Sequence, residues 1–204
     1  MSRTRKGLLV TIEGIDGAGK STLLRELGPS LSSAGFKNTL VSEPSEGFYG
    51  KLARSTAARD PVVGALLFTL DRKETRPELE QLLRRNDVVL QDRSFYSTLA
   101  YQGAVLSPAM RQALDVLERE VARAPDLVLL LHGPVTVALG RIRGRARKRE
   151  PLEKERLLRA VQHRYLLLAK AEKRLFRKIS FDQPADEMLR KALSAIRDKL
   201  GSSG

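Results

Sequence analysis

Gly14-Ile15-Asp16-Gly17-Ala18-Gly19-Lys20-Ser21-Thr22 fits the phosphate-loop pattern G-x-x-x-x-G-K-[ST], with Gly14, Gly19, Lys20 and Ser21 at the required positions. It follows an apolar run, Leu8 to Ile12, and leads into the helix-like segment Thr22 to Leu27. That order, strand then glycine loop then helix, is what a polyphosphate cradle needs. Glycines let the backbone curl so that successive N–H groups point into one concavity, and the following helix adds the partial positive charge of its N-terminus. Lys20 is expected to reach the β- and γ-phosphates as a point charge, and the Ser21 hydroxyl to ligate a Mg²⁺ that bridges them. Asp16 is the awkward member. A carboxylate inside a phosphate cradle costs electrostatic energy, so the sequence predicts for it a partner other than ATP, such as a sugar hydroxyl of a second substrate.

The 204 residues, 42% hydrophobic and 30% charged, suffice for one domain with a well-buried core. A single domain over residues 1–200 is expected. With no cysteine, disulfides and thiolate metal sites are excluded. No apolar run approaches the roughly 20 residues that span a bilayer, and Met1 to Lys6 is basic without the apolar stretch of a signal peptide. A soluble, cytoplasmic protein without a membrane partner is the expectation. The net charge of +13 attracts any polyanion, nucleic acid included. Nucleotides are polyanions too, however, and with aromatics at 5% there is no aromatic-interleaved basic stripe for stacking single strands. Nucleic acid is therefore not the expected partner.

Around the loop the chain reads as alternating strands and helices, the pattern of a parallel sheet covered on both faces. Leu8 to Glu13, Asn38 to Ser42, Val88 to Gln91, Leu127 to Leu131 and Lys178 to Phe181 are the predicted strands. Helix one begins at Lys20 and is expected to break or kink at Gly28-Pro29, because proline lacks the N–H and disfavours helix in the residue before it. Further helices are predicted near 51–58, over 61–83, from Ser97 with Ser94 or Ser97 as cap, over 110–122, from Val135, over 152–176 and over 187–200. The helix over 152–176 carries Leu157, Leu158, Val161, Tyr165 and Leu168 on one side. Gly201 to Gly204 reads as a flexible tail. His132 and His163 lack partners at metal spacing and are read as structural.

Loops leaving the carboxyl ends of parallel strands gather over a phosphate loop, which singles out three segments. Glu43 to Gly50 is placed to touch a substrate. Asp92 and Arg93 follow the third strand, where an acid faces the Mg²⁺ shell and an arginine can grip a phosphate bidentately. Gly140 to Glu150, GRIRGRARKRE, is the densest basic run. A solvated face is the ordinary reading of such a run, but after the fourth strand of a phosphate-loop domain it suits a lid, at about 140–153, that brings arginines to a transferring phosphoryl group. Phe68 and Arg72 share a helical face; on spacing alone Phe68 belongs to the core.

Three segments in order, GIDGAGKST, LLFTLDR (Leu66 to Arg72) and DRSFYSTLAYQG (Asp92 to Gly103), resemble the thymidylate kinase family, the similarity extending from about Leu8 to Met188. The resemblance implies a three-layer α/β phosphate-loop NTPase fold, with a mostly parallel five-stranded sheet flanked by helices and an arginine-rich lid. It implies phosphoryl transfer from ATP to dTMP with Mg²⁺, and a homodimer. By the same resemblance Phe68 would stack on thymine, Arg72 would bond its edge and Thr98, with Gln102, would lie near the base. Tyr101 would press on C2′ of the sugar, Asp16 would lie near the 3′-hydroxyl, Arg93 would hold the dTMP phosphate, and Asp92 would lie near Mg²⁺ and the attacking phosphate.

Three departures stand out. Some members carry an arginine in the phosphate loop beside the acid, where this chain has Gly17; it resembles the subclass that supplies arginine from the lid, with Arg143, Arg145, Arg147 and Arg149 as candidates and Arg145 and Arg147 taken as catalytic. The family arginine before the proline of the third loop is replaced by Ser42-Glu43. After the lid, Glu150-Pro151-Leu152-Glu153 stands in place of Asp-Arg-hydrophobic-Glu. Two other readings share the phosphate loop: a different nucleoside monophosphate or deoxynucleoside kinase, and a nucleic-acid-binding ATPase, the latter giving Phe68 and Tyr101 no special role.

Overall fold

The computed structural model of the chain describes residues 7–57, 59–146 and 152–201. Its strands are β1 (Leu8–Gly14), β2 (Asn38–Ser42), β3 (Val88–Asp92), β4 (Leu127–His132) and β5 (Phe176–Ser180). They form one sheet in the order β2-β3-β1-β4-β5. All four pairings are parallel, so the sheet expected to be mostly parallel is parallel throughout. The helices are α1 (Lys20–Ser33), α2 (Phe48–Thr56), α3 (Pro61–Arg85), α4 (Phe95–Tyr101), α5 (Pro108–Val121), α6 (Val135–Ala146), α7 (Leu152–Ala171) and α8 (Ala185–Gly201). This is a three-layer α/β fold with a phosphate loop after its central strand.

The continuous apolar runs explain the strand order. β1 is buried along its whole length and β4 along all but its last residue, as strands covered on both faces must be, and β1 takes the centre. β2 alternates between half-buried and exposed and forms an edge. Parallel pairing then puts every carboxyl end on one side of the sheet. The register sets Ile12 and Ser42 opposite Asp92, and Gly14 opposite Leu131, so the phosphate loop, the Glu43 segment and Asp92-Arg93 converge.

Several boundaries differ from the sequence reading. α1 runs through Pro29 without a break. The proline lies on the exposed side of the helix, where the carbonyl of Arg25 that loses its N–H partner can meet water. α2 starts at Phe48, ahead of Lys51, and Ser94 caps α4 by accepting from the Tyr96 N–H (3.3 Å). α7 stops at Ala171, where the N–H groups of Leu175 and Phe176 turn back to the Glu172 carbonyl (2.9 and 3.2 Å). β5 therefore begins at Phe176, whose backbone pairs with Val128 and whose ring meets Tyr96 edge-on at 4.9 Å. Sheet pairing and aromatic packing outweigh helix propensity there. Leu158, Val161 and Tyr165 of α7 are buried as expected and Leu168 partly, but Leu157 is exposed. Gly201, read as tail, closes α8; residues 202–204 lie outside the described residues.

Candidate active site

The phosphate loop joins β1 to α1 with left-handed backbone at Gly17 (φ 80°) and Gly19 (φ 96°). Gly19 caps α1 and no acid occupies its first turn, so the positive end of that helix faces the loop unopposed. Gly17 is constrained twice over. A Cβ there would stand 2.3 Å from the carbonyl oxygen of Ala138 in α6, and the positive φ disfavours any side chain. An arginine at this position cannot be accommodated without displacing α6. Ile15 and Ala18 are buried and anchor the loop from below, whereas Ser21 is exposed.

Lys20 is buried, and its Nζ donates to the Gly14 and Ile15 carbonyls (3.0 and 3.2 Å). Burial and the neighbouring Arg93 pull its pKa down to about 8, with Asp16, Asp92 and Glu13 opposing. An incoming triphosphate favours the protonated form, so binding takes up a proton above that pH. The Kd for ATP is expected to rise about tenfold per pH unit from pH 8 upward, and the slope to disappear in Lys20→Ala, as followed by titration calorimetry. Asp92 ends β3 with Oδ1 buried and without a hydrogen-bond partner. An orphaned carboxylate oxygen beside the phosphate loop fits a hard divalent cation.

Beside the loop lies a cavity of about 240 Å³ lined by Asp16, Glu43, Phe68, Arg72, Arg93, Thr98, Tyr101 and Gln102 among others. Phe68 is half-buried at its wall, one helical turn before Arg72, and stands apart from the core that spacing alone assigned to it. Arg72 is almost wholly buried. Its Nε donates to Glu43 (2.6 Å), Nη1 to Glu118 (2.7 Å), and Nη2 to the Ser94 carbonyl and Thr98 Oγ1 (3.2 and 2.9 Å). Burial pushes Glu43 up to about 7, the Arg72 guanidinium opposing. Thus Glu43, one of the two residues that stand where the resemblance implies an arginine, fixes Arg72 from the loop after β2, and Gln91 Nε2 holds its other oxygen at 2.6 Å.

Arg93 has positive φ (69°), a sparsely populated conformation for a residue with a side chain and one that recurs at functional sites. Its Nη2 pairs with Asp16 (2.5 Å), Nη1 reaches Ser97 Oγ (3.2 Å), and its guanidinium lies 5.3 Å from the centre of the Tyr101 ring. Burial would raise the Asp16 carboxyl, but Arg93, Lys20 and the Tyr101 hydroxyl outweigh it and hold Asp16 below its ordinary range. The Asp16 N–H also donates to the Tyr101 hydroxyl (3.0 Å). In this structure, then, Asp16 has Arg93 as its charge partner.

Two buried acids went unnoticed in the sequence. Glu13, fully buried, accepts from Ser94 Oγ (2.7 Å), Ser97 Oγ (2.7 Å) and Tyr165 Oη (2.8 Å), tying β1, α4 and α7 together behind Arg93. Glu118, also fully buried, holds Arg72 and accepts from Thr69 Oγ1 (3.0 Å). The available signal was an acid at an inward position: within an otherwise apolar strand for Glu13, four residues after Leu114 for Glu118. Removing one partner of such a pair strands a buried charge. Glu118→Ala is expected to lose about 3 kcal/mol of stability in chemical denaturation, against less than about 0.5 kcal/mol for an exposed control such as Glu120→Ala.

A second cavity opens on the other side of the loop, between Gly19, Thr22, Arg141, Gln183 and Met188. Arg141 bonds the Phe181 carbonyl (2.9 Å) and sits 5.6 Å from the centre of that ring. Gln183 was not marked by the sequence, and Arg141 only as part of the basic run Gly140 to Glu150. Of the lid candidates, Arg143 is exposed on α6, and Arg145 lies in the same helix. Arg147, Arg149, Glu150 and Pro151 fall outside the described residues, as does the side chain of Arg145. Among the described residues no cluster of three metal-ligating side chains occurs, and no helix is long and apolar enough to cross a membrane. His132 is half-buried at the end of β4 and His163 is exposed.

The comparisons agree with this geometry. The family model described as thymidylate kinase matches residues 12–191. A probable thymidylate kinase of Metallosphaera sedula is 34% identical over 195 residues, 96% of this chain and 95% of its own. One from Thermococcus gammatolerans is 39% identical over 181 residues, covering 80% and 83% of the two chains. The thymidylate kinase of Xanthomonas campestris pv. campestris is 36% identical over 207 residues, covering 97% and 88%. With its phosphate loop, its second cavity and these relatives in view, the chain belongs to the thymidylate kinase family.

Proposed function

We propose that the protein transfers the γ-phosphoryl group of ATP to dTMP, giving dTDP and ADP for dTTP synthesis. One observation carries the reading: the phosphate loop is flanked by two cavities, and the Asp16–Arg93 pair joins it to the one that holds Phe68, Arg72 and Tyr101. The triphosphate occupies the loop with Lys20 at its β- and γ-phosphates, and the base of ATP lies towards Arg141 and Gln183. In the other cavity Phe68 stacks on thymine, and Arg72, held by Glu43 and Glu118, presents a fixed donor to the base edge beside Thr98 and Gln102. Tyr101 packs on the sugar and Arg93 turns to the dTMP phosphate. An oxygen of that phosphate attacks the γ-phosphorus in line, the bond to the β,γ-bridging oxygen breaks, and ADP leaves.

Ser21 and Asp92 are the residues that would hold Mg²⁺, which when bound neutralises charge on the β- and γ-phosphates. Positioning and charge compensation supply most of the acceleration in such a transfer. Residues 1–200 form one catalytic domain with 140–153 as its lid, and the protein works in the cytoplasm. The test is a coupled ADP-release assay with ATP-Mg²⁺ against dTMP, dUMP, the ribonucleotide of thymine, dCMP, dGMP, AMP and thymidine. Turnover with dTMP is expected, with dUMP weaker by the ~1–3 kcal/mol of one methyl group and the others far weaker. Equal use of another acceptor overturns the base-pocket assignment; silence across the panel overturns the activity.

A homodimer is proposed on separate grounds. Val63, Leu66 and Leu70 form an exposed apolar stripe on α3, and α5 beside it exposes Val116 and Leu117. Sedimentation velocity is expected to show a dimer that Leu66→Glu with Leu70→Glu converts to monomer.

A further inference from the structure

On the far face of α4 from the acceptor cavity is another cavity, of about 410 Å³, between α4, the 3₁₀ turn Gln102–Ala104, α5 and α7. Arg111, Arg119 and Arg164 line it, with Asp115 and Glu172 as its acids. Both acids are committed to one arginine. Arg119 Nε meets both oxygens of Asp115 (3.0 Å each) and its Nη2 meets Glu172 (2.9 Å), while the other Glu172 oxygen accepts from Tyr96 (2.6 Å). Arg111 and Arg164 are left without an ion pair among the described residues. Arg111 has a backbone partner, its Nη1 donating to the Leu106 carbonyl (2.8 Å), but Arg164 Nε is buried with no hydrogen-bond partner at all.

The two side chains are also neighbours. Both close on Gly103, where a Cβ would lie 3.4 Å from Arg164 Nε and 3.8 Å from Arg111 Cδ. Burial and then Arg111 pull Arg164 below its ordinary range, with Asp115 opposing. Two like charges held together, one with an unsatisfied buried donor and no acid to spare, form an arrangement completed by an anion that several N–H groups can grip.

We propose that this cavity is a second anion site, taking a phosphate group through Arg111 and Arg164, distinct from both the phosphate loop and the acceptor cavity. The chemistry is that of a tetrahedral oxyanion, supplied either as free inorganic phosphate or as the phosphate tail of a nucleotide. Its position bears on function, because the 3₁₀ turn that carries Gly103 begins at Gln102 and follows Tyr101, two residues of the acceptor cavity on the opposite face.

The test reads Arg164 directly. In ¹⁵N correlation spectra of the full chain, the arginine Nε–H signal absent from Arg164→Gln identifies that group. Inorganic phosphate is titrated at constant ionic strength, up to about 10 mM, where even millimolar binding is largely saturated. A saturable shift is expected, unchanged in Lys20→Ala and weakened about tenfold or more in Arg111→Gln. A second arm titrates ATP into the Lys20→Ala protein. Tighter saturation than with phosphate assigns the site to nucleotide tails, equal or weaker saturation assigns it to free phosphate, and either supports the site. No saturable shift with either ligand, a shift reproduced by chloride, or one indifferent to Arg111→Gln overturns it. Circular dichroism of all three variants checks that the fold is kept.

Discussion

Replacing Arg143, Arg145, Arg147 and Arg149 together by glutamine is expected to lower turnover by ~10³- to 10⁵-fold while weakening ATP binding less than about tenfold. Negative charge builds on the β,γ-bridging oxygen as the bond to it breaks and stays spread over the γ-phosphoryl oxygens, beyond what Lys20 and the helix terminus meet, and arginines inserted there act mainly on that state. In this chain the insertion has few possible sources. The phosphate loop cannot supply it, since Gly17 presses against the Ala138 carbonyl at positive φ. Arg141 is bound to Phe181, and Arg93 is assigned to the acceptor phosphate. The run from Arg143 to Arg149, read from the sequence as a lid, is the source proposed here. Single-turnover kinetics separate the chemical step from release, and single variants then locate the residue. Turnover within tenfold of the parent in the fourfold variant sinks the lid assignment. Gly17→Arg in that variant is expected not to recover turnover, because its Cβ would stand 2.3 Å from the Ala138 carbonyl oxygen.

The second large effect is expected at Arg93. Arg93→Gln should reduce kcat/KM for dTMP by ~10²- to 10³-fold, with the Kd for ATP changed less than about fivefold. The substitution removes the cation assigned to the acceptor phosphate. It also leaves Asp16, 2.5 Å from Arg93 Nη2 in the parent, as an uncompensated carboxylate facing incoming phosphates. Asp16→Asn in the same chain is therefore expected to recover about tenfold of the loss, a coupling that steady-state kinetics on the four-member cycle measures directly. If the two substitutions simply add, the pair does not work as a unit.

Much of the architecture was legible in advance because its signals are local. Apolar runs such as Leu8 to Ile12 and Leu127 to Leu131 can be satisfied only by strands buried on both faces, and the glycine spacing from Gly14 to Gly19 prescribes the loop between strand and helix. Where two local rules competed, tertiary packing chose between them. Proline at position 29 argued for a break in α1, yet its exposed placement lets the helix continue; the segment after Ala171 suited a helix until Phe176 found β4 and Tyr96. Phe68 shows the same limit at the site, since its helical spacing pointed to the core and the fold placed it at the cavity wall.

By itself the sequence determined a phosphate loop on a parallel α/β sheet and the residues, Asp92 and Arg93 foremost, that parallel strands must carry to one edge. Only the tertiary structure decided the partners. Glu13 with Ser94, Ser97 and Tyr165, Glu43 and Glu118 with Arg72, and Asp16 with Arg93 join residues between 29 and 152 positions apart. No periodicity encodes such pairings: a buried charge is tolerable only where packing delivers its counter-charge, and packing is a property of the whole chain.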